Sequence, residues 1–250
     1  MKLLLSFVVI LSVLLLSTVA FSQVPYKKIL LVSDIDDTIK ISHVLAPERA
    51  GLRILDAKVP FTGMAQLYQL LSRQTGVQVV YLSNAPAEIA QIPLFEVAHT
   101  RFLNENKFPN GRLLLRDDIT DQNHKIRMLR ALYNQEKPDV FILIGDNGEK
   151  DVQIYHQFQS EVDAKTKTVT FIHQIYGTEE GSIFDRILKG QITSAEVGQK
   201  IFPEQFGYVT PIEISLELAS EGLLAESSKQ WMLNNILPYI LKQQSSIFSD

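Results

Sequence analysis

The sequence predicts an α/β fold, a doubly wound and mostly parallel sheet, from three observations. Four largely apolar runs, at residues 29–32, 77–82, 140–144 and 169–175, are rich in β-branched side chains. Runs of this kind suit parallel strands covered on both faces. Segments of helical periodicity lie between them, so strand and helix alternate along the chain. Each run also gives way to polar or acidic residues, and in such sheets the carboxyl ends of the strands form the ligand crevice.

The elements follow in order. Residues 1–22 read as a secretory signal: Lys2, an apolar run over 3–16, then small residues ending in Ala20-Phe21-Ser22, with cleavage expected after Ser22. An uncleaved membrane anchor is the alternative, since the tract is only marginally short of a span. Residues 23–250 are expected to form a single domain, with a motif-bearing core over about 28–180 and C-terminal helices over about 181–250. After the first strand a flap spans 41–60. A helix over 63–74 places Met64, Leu67, Leu70 and Leu71 on one stripe before Gly76 stops it. Residues 111–116 read as a further, edge strand. A helix over 123–136 aligns Ile126, Leu129, Leu132 and Tyr133 and stops before Pro138. Thr210-Pro211-Ile212-Glu213 is a capping-box sequence with proline at the first helical position, opening a helix to about 224. A last helix over about 226–242 carries Trp231 and contains Pro238, which should kink or end it.

Composition narrows the function. The 250 residues hold 24 basic and 28 acidic side chains and no cysteine. Slight acidity without a basic cluster argues against a nucleic-acid groove. The missing cysteines exclude a disulfide scaffold, thiolate zinc sites and thiol catalysis. The five histidines, His43, His99, His124, His156 and His173, show no zinc-ligand spacing. His124 stands out only because it adjoins Lys125.

The chemistry lies at the strand ends. Ser33-Asp34-Ile35-Asp36-Asp37-Thr38 puts three carboxylates directly after an apolar strand, an expensive arrangement unless a cation is present. An EF-hand loop is excluded, because counting from Asp34 its sixth and twelfth positions hold Ile39 and Leu45 instead of glycine and glutamate. Gly145-Asp146-Asn147-Gly148-Glu149-Lys150-Asp151 is a second acidic strand end, and the pair makes an oxygen-only site suited to magnesium. Ser83-Asn84 ends another strand with a hydroxyl and amides that can grip an anionic oxygen. Lys125 lies in the first turn of its helix, where it opposes the helix dipole and needs another reason to be there.

Taken together, Asp34-x-Asp36-x-Thr38, Ser83, Lys125 and Gly145-Asp146 with Asp151 resemble the four motifs of the haloacid dehalogenase superfamily of phosphatases. The wording Ser-Asp-Ile-Asp-Asp-Thr-Ile-Lys, Tyr-Leu-Ser-Asn-Ala-Pro, His-Lys and Ile-Gly-Asp-Asn-Gly-Glu-Lys-Asp is similar to the actin-patch-associated phosphatidate phosphatase catalytic domain, over about 28–180. The resemblance implies a Rossmannoid core and a phosphomonoesterase working through an aspartyl-phosphate. It implies Asp34 as nucleophile, Asp36 as general acid and then base, and Mg2+ held by Asp34, the Asp36 backbone carbonyl and Asp146, with Asp151 binding or orienting the metal's waters. Ser83, Asn84 and Lys125 would bind the phosphoryl group, and Lys125 would neutralise its charge. Thr38 is expected to fix the loop by bonding the backbone, and Asp37 to be structural or to meet the substrate. Asn147 stands where the family often has serine, and Val152-Gln153 replaces its usual Pro-Glu.

The intervals on either side of Ser83 are too short for a large cap domain. An open site suits a bulky or membrane-borne phosphoester, so the expected substrate is phosphatidate at a membrane surface, yielding diacylglycerol and phosphate. Flap residues Val44, Leu45, Leu52, Ile54, Leu55 and Val59, with Phe61 beyond it, either meet acyl chains or close the domain's own core. Two other readings stand beside this one: the same chemistry on a soluble or protein-borne phosphomonoester, and a non-catalytic protein binding divalent cation or a phospholipid head group. A second carboxylate placed as a general acid speaks against the latter.

Overall fold

The computed structural model describes residues 27–42, 59–178 and 198–247. The segment expected to be a signal (residues 1–22), His43, most of the flap (residues 43–58) and the first part of the expected C-terminal region (179–197) lie outside the described residues.

Six strands form one all-parallel sheet in the order β3-β2-β1-β4-β5-β6: β1 (Ile29–Ser33), β2 (Val77–Pro86), β3 (Arg112–Arg116), β4 (Val140–Asp146), β5 (Lys167–His173) and β6 (Gln205–Tyr208). The helices are α1 (Met64–Ser72), α2 (Leu94–Glu105), α3 (His124–Glu136), α4 (Asp151–Glu161), α5 (Pro211–Ser220), α6 (Glu226–Asn235) and α7 (Leu237–Ile247). The predicted doubly wound α/β fold is therefore the fold observed.

Strand alternation divides the core in two. Leu31, Val79, Tyr81, Ile142 and Ile144 face one layer with α1, α2, α5 and α6. Leu30, Val32, Val80, Leu82, Phe141 and Leu143 face the other with α3 and α4. Both faces of β1 and β4 are thus covered, which is why their sequences show unbroken hydrophobicity. The chain leaves β1 through α1 towards β2 and β3, then returns through α3 to lay β4 on the opposite side of β1. The order reverses between β1 and β4, and the crevice of a doubly wound sheet opens at that switch point.

Local signals behave as their chemistry dictates. Thr210 and Glu213 form the expected capping box, with Thr210 N donating to Glu213 at 3.1 Å. The helix ends at Ser220, four residues before the expected limit, and Leu223 and Leu224 turn into the core. The last helix is broken near Pro238 into α6 and α7, because proline has no N–H for the helical ladder. β2 runs on to Pro86 with a register shift between Leu82 and Pro86, so that Ser83 and Asn84 stand in an irregular stretch at the strand's carboxyl end. Phe61 packs on the core, edge-on to His173 with ring centroids 4.4 Å apart, so this residue closes the domain; Val59 stays exposed. No helix among the described residues is long and apolar enough to cross a membrane.

Candidate active site

Strands β1 and β4 end side by side, with Ser33 paired to Ile144, and the ladder continues one step as Asp34 N donates to Ile144 O at 2.9 Å. That register brings Asp34 beside Asp146. Asp151, the first residue of α4, turns back towards them, and the three carboxylates offer oxygens within 4.8 Å of one another, all buried. Gly145 makes the approach possible: a Cβ there would stand 2.5 Å from Asp151 Oδ2 and 2.8 Å from the Tyr155 ring.

Lys125 explains its awkward place in the first turn of α3. Its ammonium is fully buried and donates to Asp34 Oδ1 at 2.8 Å and Asp151 Oδ1 at 2.5 Å. Burial lowers its affinity for a proton, but Asp151 and Asp34 outweigh this and hold it well above the ordinary lysine range. Burial pushes the Asp34 carboxyl well above the usual carboxylate range; Lys125 opposes that, while Asp151 and Asp146 add to it. Burial likewise raises Asp146, with Asp151 reinforcing it, and raises Asp151 against the pull of Lys125.

Three carboxylates against one ammonium leave a formal charge of −2 in a buried cluster. One oxygen of each motif-end acid is also unsatisfied: Asp146 Oδ2 and Asp151 Oδ2 have no hydrogen-bond partner. Asp146 Oδ1 accepts from Gly148 N at 2.6 Å and Glu149 N at 3.2 Å, which fixes the carboxylate's direction. Buried acceptors without donors are costly, and an oxygen-only donor set with excess negative charge fits a hard divalent cation.

Asp34 is held from both sides, because Thr38 Oγ1 donates to its Oδ2 at 3.1 Å. Thr38 thus supports the carboxylate itself, where the sequence had suggested a bond to the backbone; a hydroxyl one loop turn away reaches the side chain that the loop wraps around. Asp37 is structural: its Oδ1 accepts from Ser42 N at 2.8 Å and its Oδ2 from the Tyr176 hydroxyl at 2.6 Å. Asn147 clamps the loop after β5, accepting from Ile175 N and Tyr176 N and donating to Tyr176 O.

Above this floor lies a cleft of about 520 Å³ whose walls include Asp34, Asp36, Ser83 and Asn84. The structure therefore brings all four together. Asp36 does not join the three-carboxylate cluster. Its Oδ1 accepts from Ser42 Oγ at 2.5 Å with Lys40 Nζ 3.5 Å away, and its Oδ2 lies 3.5 Å from His99 Nε2. Ser83 Oγ accepts from Ala85 N at 3.0 Å, leaving its O–H to donate. The Asn84 amide donates to Glu149 at 3.1 Å, so that side chain is engaged within the protein.

Two residues of the site escaped the sequence reading. His99, fully buried on α2, presents Nε2 towards Asp36 with neither ring nitrogen hydrogen-bonded, and burial lowers its proton affinity. Arg116, at the carboxyl end of β3, lines the cleft. A charged residue ending a strand was the one available signal for Arg116; a histidine inside a helix gives none.

Acids at the carboxyl ends of the first and fourth strands, a buried lysine between them, and the switch point of a doubly wound sheet define a class: Rossmannoid phosphatases of the haloacid dehalogenase type. Comparison with protein families matches residues 29–173 to the family described as "Phosphatidate phosphatase APP1, catalytic domain". The chain belongs to this family, which is one of phosphoric monoester hydrolases. No curated protein matches the chain. A solved structure described as "Structure of Pnkp1/Rnl/Hen1 complex" is similar at 17% identity with a TM-score of 0.33, covering 72% of this chain and 46% of that one. The chain thus spans less than half the length of that structure's chain, and so distant a likeness carries no argument.

Proposed function

We propose that the protein is a Mg2+-dependent phosphatidate phosphatase that works through an aspartyl-phosphate on Asp34. The observation that carries the chemistry is the buried Asp34–Lys125–Asp151 arrangement with the unsatisfied oxygens of Asp146 and Asp151 at its side. Asp34, Asp146, the Asp36 carbonyl and, through water or directly, Asp151 would hold the cation. When bound, that cation supplies charge neutralisation for the phosphoryl oxygens.

The remaining work belongs to the chain. Asp34 attacks phosphorus, the bond to the ester oxygen breaks, and Asp36 gives that oxygen its proton, releasing diacylglycerol. Asp36 then takes a proton from water as the water's oxygen attacks the aspartyl-phosphate, freeing phosphate and restoring both carboxyl groups. Lys125 holds Asp34 in its attacking orientation and offsets charge at the phosphoryl group. Ser83 donates its hydroxyl proton to a phosphoryl oxygen. Ser42 fixes the Asp36 carboxylate beside the cleft by a hydrogen bond, with Lys40 and His99 3.5 Å from its two oxygens.

Family membership supports the lipid substrate, and the rim of the cleft supports it independently. Pro86 and Phe95 line the cleft, and between and beside them Ile89, Ile92, Leu94 and Val97 are exposed. Ile89 and Ile92 are paired by two backbone hydrogen bonds across Ala90 and Gln91, both in the left-handed region at φ 50 and 66. An exposed apolar projection next to a phosphate site suits an amphiphile at a bilayer surface. The apolar leader read in residues 3–16 supports export, so that N-terminal sequencing of the mature protein should begin at Gln23.

The test uses protein lacking residues 1–22, with Mg2+, assayed for phosphate release from phosphatidate vesicles and from soluble phosphomonoesters. Preferential release from vesicles is expected. Release from soluble esters alone would overturn the lipid assignment, and no release from either would overturn the enzyme.

A further inference from the structure

We propose that Arg116 is a substrate-binding residue, a guanidinium that grips the non-bridging oxygens of a dianionic phosphomonoester in the cleft; the inference rests on the phosphatase reading and extends it. Arg116 stands at the carboxyl end of β3 and lines the same cleft as Asp34, Asp36 and Ser83. Its Nε is buried and meets no hydrogen-bond acceptor. An arginine is always charged and carries donors only, so a desolvated N–H facing no acceptor is costly unless an anion enters the cleft.

The neighbouring groups leave this role open. Asp118, the acid on which Arg116 exerts an attraction, is exposed, and its Oδ1 is occupied by Thr120 N at 2.8 Å and Thr120 Oγ1 at 2.7 Å. Among the described residues Arg116 forms no ion pair with a carboxylate, whereas Arg112, on the same strand, pairs with Glu136 at 2.9 Å. Lys125 is buried and divided between Asp34 and Asp151. Asn84, the amide the sequence suggested for phosphate, is held by Glu149. Of the cations that line the cleft, Lys150 lies at its exposed edge, 3.3 Å from Gln122. Arg116 is therefore the cation placed to meet the incoming phosphate.

A planar guanidinium binds two phosphate oxygens at once, which an ammonium cannot do. The contact forms on binding and persists through the reaction, so its loss should raise KM more than it lowers kcat. The test measures, in the full chain with Mg2+, steady-state kinetics on a phosphomonoester and calorimetric binding of inorganic phosphate for wild type, Arg116→Ala, Arg116→Lys and Arg116→Gln. Arg116→Ala should weaken phosphate binding and raise KM by roughly 10- to 100-fold, the range for a charged hydrogen bond, with KM carrying the larger share of the loss. Arg116→Lys should recover part of that loss and Arg116→Gln less.

Unchanged phosphate affinity in Arg116→Ala and Arg116→Lys overturns the assignment, as does a fall in kcat at unchanged phosphate affinity. If Arg116→Ala does not fold, the Lys and Gln variants make the same comparison. Phosphate binding needs no turnover, so the two proposals fail separately. A wild-type protein that binds phosphate through Arg116 but hydrolyses no ester sinks the enzyme and leaves this site. One that hydrolyses esters without help from Arg116 sinks this site alone.

Discussion

Lys125→Met removes a charge and little else, because the two side chains have similar length and Lys125 is fully buried. In the wild type its ammonium bridges Asp34 and Asp151. Without it three buried carboxylates face one another with no internal cation. Breaking a buried pair by removing one partner costs about 3–5 kcal/mol. For a domain of this size each kcal/mol moves Tm by about 2–4 °C, so the variant should melt roughly 6–20 °C below wild type in chelator. Divalent cation should return part of this loss. A ligand at a hundred times its Kd contributes about 2.7 kcal/mol, and the variant's more negative cluster should bind it more tightly than the wild type does. The gap in Tm should therefore narrow as Mg2+ is added, while turnover stays low because the charge beside Asp34 is gone. Thermal melts of both proteins in chelator and across a Mg2+ series measure this. A variant that melts with the wild type, or an equal Mg2+ shift in both, would refute the view that Lys125 and the cation neutralise the same carboxylates.

Three further outcomes follow from the geometry. Gly145→Ala would drive a methyl into Asp151 and Tyr155, costing about 1–3 kcal/mol of stability and abolishing the stabilisation by Mg2+, both read from melts with and without the ion. Burial holds His173 below its ordinary value of 6.5, so the unfolded chain takes up a proton first as pH falls. Its contribution is full above pH 6.5 and is lost as pH drops towards the folded value. Urea midpoints should fall between pH 7.5 and 5.5, and fall less in His173→Phe. Replacing Ile89 and Ile92 together by serine should weaken sedimentation with phosphatidate vesicles while leaving hydrolysis of soluble phosphomonoesters intact; equal loss on both substrates would remove the rim from the lipid interaction.

Much of this molecule is legible in its sequence. β1 and β4 are buried on both faces, so their sequences carry an unbroken apolar signal, and the acids that follow them mark the crevice. Helices α1 and α3 bury one stripe each and show it. Helix α2 was missed because Leu94 and Val97 on its first turns face outwards, so its apolar positions do not describe its buried side. Helix α4 was hidden because it starts at Asp151, inside a motif read for its chemistry, and carries Gln153, His156, Gln157 and Gln159 among its apolar residues. Strand β6 has four residues, and its Phe206 is exposed. At the site, the residue types were visible but their pairing was not. That Thr38 serves Asp34, that Asn84 is held by Glu149 and that His99 faces Asp36 are consequences of tertiary approach between segments with no common local pattern.

The most direct test of the chemistry is to trap the phosphorylated enzyme. Protein quenched during turnover of phosphatidate with Mg2+ is reduced with borohydride, which converts an aspartyl-phosphate to homoserine, and its peptides are mapped by mass spectrometry. Homoserine at position 34, absent from Asp34→Asn and from protein without substrate, is the predicted result. Sustained turnover with homoserine at another aspartate, or full activity in Asp34→Asn, would contradict it.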